Sequence, residues 1–371
     1  MTDSAVFRAD QVGSLLRPQA LLDARRRLDT AAIGAGELRA IEDEAIAAAV
    51  ARQQEAGIDV VTDGEFRRRD FRTGFVDAVD GISMRTFDMP WHTSDGVTKL
   101  PSKQFMITGR LRQRRRLAEG EAAYLHALTS APVKVTLIAP GFLVDRFWQD
   151  GETDQFYGSR DELAAEVAAI TRAEIEALIA EGVQYIQLDN PGYGAFLGSH
   201  ARERASGPGA QAAFDRMVDT DTAAVEGVQR PAGVSLGLHV CRGNQSSMWL
   251  GEGDYLPIAE RLLGSVPVDR FLLEYDDDRA GGFEPLRYLP AGKVAVLGLV
   301  SSKTAALETA EGLAERIRAA AKFAGLDQLA LSPQCGFASV AEGGNRLTAD
   351  EQFAKLRLVA DSARAIWADA G

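Results

Sequence analysis

The chain is poor in sulfur and in imidazole, with two cysteines and four histidines among 371 residues. Two thiols exclude a disulfide-stapled framework. There is no run of ~18 apolar residues, so no transmembrane helix is expected. The opening stretch, MTDSAVFRADQVGSLLRP, lacks an apolar core of signal-peptide length, and a cytoplasmic protein is expected. Basic charge is also short. Against 53 Asp+Glu stand 41 Lys+Arg, a net charge of −12. That balance argues against nucleic acid or an anionic membrane as partner, because both want a basic surface. No Walker A motif, Ser/His/Asp triad, solenoid repeat, low-complexity tract or Gly/Ser linker is found. What remains is ordinary globular composition, 46% hydrophobic and 25% charged, in a chain long enough to bury a large core. It reads as a single domain over residues 1–371.

The patterning is that of alternating strands and helices. Residues 36–57 place Leu38, Ile41, Ala45, Ala48 and Ala49 at helical spacing and stop at Gly57. Residues 161–181 repeat the pattern through Leu163, Val167, Ile170 and Leu178, and 304–324 form a third, Ala-rich helix. Thr348 and Glu351 make a capping box before a last helix. Eight short runs rich in Val, Ile and Leu are candidate core strands: 12–15, 58–65, 134–140, 185–191, 235–241, 270–276, 294–300 and 329–335. Parallel neighbours need crossover connections, so this order predicts an α/β fold, a (β/α)8 TIM barrel. Such a barrel takes ~250 residues. The surplus falls in two excursions, residues 66–132 after an early strand and 192–232 after a middle one.

Reactive side chains sit where those strands end. Ser14, Glu65, Asp189, His239, Cys241, Glu274 and Cys335 all fall at or just past C-terminal strand ends, the end that carries the active site of a barrel. Taken singly, each has a plain structural explanation, such as a helix cap, an ion pair or a buried small thiol. Their convergence is what carries the functional reading. On a strand, residues i and i+2 share a side, so His239 and Cys241 can reach one ion. Cys335 offers a second thiolate and Glu274 a carboxylate. Mixed N, S and O donors with two thiolates suit Zn²⁺, and their dispersal over three strands favours a catalytic site over a structural one. His92, His126 and His200 lie in connecting stretches and read as surface or loop residues. The run Asp276-Asp277-Asp278 reads as a solvated loop.

The segments QVGSLLRP, VTDGEFRRRDF, QLDNPG, HVCRG, LLEYDD and LSPQCG, in this order, resemble the catalytic barrel of cobalamin-independent methionine synthase, from about residue 8 to residue 360. The short single-barrel members of that superfamily are the nearest in kind. The resemblance implies a zinc ion held by His239, Cys241, Glu274 and Cys335, which binds the thiol of homocysteine. It implies that Ser14, Glu65 and Asp189 orient the amino-acid end of that thiol. It further implies a methyl donor, 5-methyltetrahydrofolate in the full-length enzymes, with Trp148 placed to stack on a pterin ring. The family assists proton transfer with a His after the seventh strand. The segment GLVSSK puts Lys303 at that place, as an acid or anion contact, and Ser301 where an acidic partner stands. The leading expectation is therefore methyl transfer to L-homocysteine giving methionine. Two alternatives remain: a coenzyme M transferase that opens epoxides, and a non-catalytic zinc- or thiol-binding barrel. Neither the oligomeric state nor a protein partner is legible.

Overall fold

A computed structural model describes residues 7–198, 209–342 and 344–368. The first regular sheet is a long antiparallel hairpin, β1 (Val79–Thr93) and β2 (Gly96–Gln113). Six parallel strands then follow in sequence order within one sheet: β3 (Lys134–Ile138), β4 (Tyr185–Asp189), β5 (Ser235–Val240), β6 (Arg270–Glu274), β7 (Val294–Val300) and β8 (Leu329–Pro333). Nearly every residue of these six is buried, as expected for strands covered on both faces.

The two earliest core segments complete the ring. Asp10 N–H donates to the Leu331 carbonyl and Leu331 N–H to the Arg8 carbonyl. On the other side Asp59 N–H donates to Ala9, and Lys134 N–H to Val61. Residues 8–12 therefore lie between β8 and residues 58–62, which in turn border β3. The result is the eight-membered barrel of the sequence reading. The first segment bridges at Ala9, a few residues ahead of the expected 12–15. β3, β4, β5, β6 and β8 end one or two residues earlier than expected, whereas β7 spans the expected 294–300.

Crossover helices form where the 3.6-residue pattern was read. Helix Ala35–Ala56 ends at Gly57 in the left-handed region, φ +79°. Helix Arg160–Ala180 is capped by Ser159, whose side chain accepts from Glu162 N–H. Helix Ala310–Ala320 starts at Thr309, later than expected. The capping box of Thr348 and Glu351 is formed in both directions. Of the two excursions, 66–132 holds the hairpin, and 192–232 holds the crossover helix Ala210–Val225 between β4 and β5. His200 lies outside the described residues. Among the described residues, no helix is long and apolar enough to cross a membrane.

The hairpin leaves the barrel after residues 58–65 and leans back over its C-terminal mouth. His92 and Trp249 exchange two backbone hydrogen bonds, at 2.9 and 3.1 Å, which tie the hairpin to the loop after β5.

Candidate metal and substrate site

Four side chains converge at the C-terminal end of the barrel. One donor atom each from His239, Cys241, Glu274 and Cys335 lie within 4.8 Å of one another, and all four residues are buried. Strand pleating puts His239 and Cys241 on the same side of β5. Glu274 closes β6, and Cys335 follows β8 by two residues. Cys241 Sγ is 3.7 Å from Cys335 Sγ, which is 3.6 Å from His239 Nε2. Both sulfurs are free thiols, not a disulfide.

Glu274 and Cys241 are held from behind, whereas His239 Nδ1 is buried with no partner. Arg242 N–H donates to Glu274 Oε1 at 2.8 Å, and Gln334 Nε2 donates to Oε2 at 2.6 Å. Ser302 Oγ donates to Gln334 Oε1, which fixes the amide so that its N–H₂ faces the carboxylate. Gly243 N–H points at Cys241 Sγ. A hydrogen bond from Cys241, then the His239 imidazole, hold the Cys335 thiol well below its usual range, while Cys241 is pushed up. Burial opposes the charged form of His239 but is outweighed by Cys335, Asp189 and Glu274, which push it up to about 9. Burial and then Cys335 push Glu274 up to about 7.

Lys303 is buried beside this cluster. It exerts a favourable field on Glu274 and Cys335, and its Nζ donates to Asn244 Oδ1 at 3.4 Å. Ser301 Oγ donates to Asp276 Oδ2 at 2.8 Å, so the carboxylate near Lys303 comes from the loop after β6. This corrects the reading of the acidic run. The Asp276 side chain is only 7% exposed, whereas Asp278 is solvated.

Two more carboxylates line the same cavity. Glu65 sits at φ +58°, in the left-handed region, a strained setting for a side chain of this size. Its Oε1 accepts from Thr136 Oγ1 at 3.0 Å, and its Oε2 is buried with no partner. Burial raises its pKa against the pull of Arg68 and Arg17. Arg17 holds the surrounding loops by donating to the carbonyls of Leu15, Glu65 and Ala338. Asp189, at the end of β4, accepts from Gln187 Nε2 at 2.8 Å and is pushed up to about 7 by burial. Ser14 is buried against Gly336: a Cβ there would lie 2.0 Å from Ser14 Oγ, so any side chain after Cys335 would displace that hydroxyl.

These residues floor a cavity of about 1010 Å³. Ser14, Glu65, Asp189, His239, Cys241 and Cys335 are all on its lining. Trp148 is not. It stands one residue past helix Pro140–Phe147, its indole N–H donating to Asp150 and the Arg160 guanidinium over its ring. A stacking role for Trp148 in this cavity is thus corrected. The aromatic wall comes instead from residues the sequence reading passed over: Phe71, Trp91, His92, Phe105 and Phe142. His92, read as a surface residue, lies on the cavity and stacks on Trp249. The signal available for this wall was Asp95-Gly96, a hairpin-turn dipeptide that would have folded 79–113 back on itself.

Barrel and site together define an α/β enzyme whose mouth gathers thiols, an imidazole and carboxylates. The chain belongs to the cobalamin-independent synthase catalytic-domain family, whose model matches residues 7–364. It is 38% identical to the uncharacterized protein YxjH of Bacillus subtilis strain 168, over 98% of this chain and 95% of that protein. It is 24% identical to a methionine synthase of Sulfolobus acidocaldarius, over 88% of this chain and 84% of that one. Among solved structures it resembles one from Listeria monocytogenes, provisionally assigned as a vitamin-B12-independent methionine synthase, with TM-score 0.75 and 28% identity over 98% of this chain and 99% of that chain. The same fold is shared with a B12-independent methionine synthase from Shewanella sp. W3-18-1 in complex with selenomethionine, with TM-score 0.73 and 23% identity over 99% of both chains.

Proposed function

We propose that the chain is a zinc-dependent thiol alkyltransferase that methylates L-homocysteine to methionine, working in the cytoplasm as one barrel domain. The observation that carries this reading is the buried cluster of His239, Cys241, Glu274 and Cys335 on the cavity floor. Its spacing suits the ion. Bonds of ~2.3 Å to sulfur and ~2.0–2.1 Å to nitrogen at tetrahedral angles separate two sulfurs by about 3.8 Å and sulfur from nitrogen by about 3.6 Å. The corresponding distances here are 3.7 and 3.6 Å. Charge suits it as well. Two thiolates and a carboxylate carry three negative charges, which a divalent cation and the buried Lys303 would balance. Bound Zn²⁺ would supply Lewis acidity that lowers the pKa of an arriving thiol, ordinarily around 8.5.

The remaining work falls to the chain. The unpartnered Oε2 of Glu65 and the Asp189 carboxylate suit the α-ammonium of an amino acid, whose charge would hold both ionised. Ser14 orients the amino-acid end beside Cys335. In the transfer, the acceptor sulfur gives up its proton and attacks the donor methyl group. The S–CH₃ bond forms as the bond from methyl to its leaving atom breaks, and that atom keeps the electron pair and takes a proton. 5-Methyltetrahydrofolate is the donor to test first. A coenzyme M acceptor fits less well, because Glu65 and Asp189 would repel its sulfonate.

The test is zinc content and proton release. Wild type should carry one equivalent of zinc and release a proton on L-homocysteine addition, and Cys335→Ser should lose both. Zinc without proton release would turn the reading toward another thiol or a non-catalytic site. Less than about a tenth of an equivalent, with no recovery on zinc addition, would sink it.

A further inference from the structure

The cavity carries a cation that its floor chemistry does not use. Its floor holds the thiols and carboxylates already described. On its wall, Arg146 projects from helix Pro140–Phe147 and lies on the cavity lining. Among the described residues it has no carboxylate within ion-pair range, and its guanidinium rests on Met89 Sδ of β1 at 3.1 Å. Other arginines on the lining are matched: Arg25 by Glu42, Arg69 by Asp29 and Arg72 by Asp70. Arg72 is an electrostatic neighbour of Arg146 and adds to the positive field there. A partly buried guanidinium without a counter-ion is costly, and its fixed fork suits a planar oxyanion. Phe142, on the same helix one turn earlier, with Phe71, Phe105 and Trp91, gives the neighbouring wall an aromatic face.

The geometry points to Arg146 as an anion-binding subsite for the second substrate of the transfer, a donor with a flat apolar body that carries a carboxylate-type group. This rests on the alkyl-transfer reading only in assigning the anion to the donor. The volume, about 1010 Å³, lies at the upper end of the roughly 300–1,000 Å³ that holds a drug-sized ligand, and far exceeds the needs of a small amino-acid thiol. A sulfonium or quaternary ammonium donor would meet like charge at this wall.

The test compares 2-naphthoate with its uncharged carboxamide by calorimetry on the protein as purified, beside L-homocysteine in a separate arm. Wild type should prefer the carboxylate by ~10-fold or more, and added KCl should weaken the carboxylate alone. Arg146→Met should abolish the preference and leave homocysteine affinity within about twofold, while Arg146→Lys should restore part of the preference. No preference in wild type, or a preference that survives Arg146→Met, would overturn the subsite. Equal loss of homocysteine binding in Arg146→Met would assign the anion to the acceptor's own carboxylate and overturn the donor assignment. The naphthoate and carboxamide arms do not depend on zinc content or proton release, so either reading can fail without the other. The salt dependence of wild type stands as a test even if a variant folds poorly.

Discussion

Replacing Lys134 by Met should damage both the barrel and the acceptor site, through one buried chain of hydrogen bonds. Lys134 is fully buried on β3. Its Nζ donates to Asp10 Oδ1 at 2.5 Å and to Gln187 Oε1 at 2.9 Å. Because an ammonium can only donate, it forces the Gln187 carbonyl oxygen toward itself. The Gln187 N–H₂ must then face Asp189 Oδ1 and the Val12 carbonyl. A cation in the barrel interior thus sets the orientation of a carboxylate at its mouth. Removing one partner of a buried ion pair costs ~3–5 kcal/mol. Here Arg270 stays 3.6 Å from Asp10 and Tyr185 OH at 3.1 Å, so the low end, about 3 kcal/mol, is expected. For 371 residues the unfolding entropy near the midpoint is about 0.8 kcal/mol/K, so Tm should fall by about 4 °C. With the amide free to turn over, Asp189 loses an oriented donor. Affinity for L-homocysteine should then weaken by ~10-fold, the effect of ~1.4 kcal/mol. Thermal unfolding and calorimetry check the two effects separately. A Tm drop below about 1 °C with unchanged affinity would refute the reasoning.

Gly336→Ala should impair the site because the new Cβ would lie 2.0 Å from Ser14 Oγ. A homocysteine affinity at least ~10-fold weaker, with zinc content retained, is the expected pattern, and wild-type affinity would contradict it. Asp221 is pushed up to about 6 by burial, while it accepts from Gly141 N–H, Asn190 Nδ2 and Tyr193 OH. A carboxyl whose folded pKa exceeds its unfolded ~3.8 stabilises the fold below that value and loses the contribution as pH rises through about 6. The stability gap between wild type and Asp221→Asn should therefore narrow by about 3 kcal/mol from pH 3.5 to pH 7 in denaturant titrations. A gap independent of pH would rule this out.

The barrel strands were legible because strands buried on both faces read as continuous apolar runs, and such runs end where a polar side chain first reaches the mouth. The convergence of His239, Cys241, Glu274 and Cys335 followed from pleat period and barrel topology alone. The hairpin left only its Asp95-Gly96 turn as a signal. Few residues of β1 are buried, and Pro90 and Pro101 supply no ladder N–H, so neither alternation nor an apolar run marks it. Trp148 was misplaced because the helix stops before it. Phe142 and Arg146, four residues apart, face the cavity, but the helix ends at Phe147 and the extended backbone at Trp148 (ψ 133°) carries its ring to Asp150 and Arg160. Arg146 itself had no sequence signal, since an arginine beside an aspartate reads as an ion pair. Asp145 is instead taken by Arg160 and Arg216.

The hairpin divides labour along the chain. Its root is part of the core, with Val79, Ile107 and Leu111 buried, whereas its outer half exposes Phe87 and Val97. Trp91 and His92 reach the cavity from a segment tied to the barrel mouth by the two backbone hydrogen bonds to Trp249. Substitutions there can reshape this wall of the cavity while the floor of His239, Cys241 and Cys335 stays as it is. On the proposed reading, the acceptor floor is written into the barrel while part of the opposite wall belongs to an appendage, so related chains can change that part of the wall without refolding the floor.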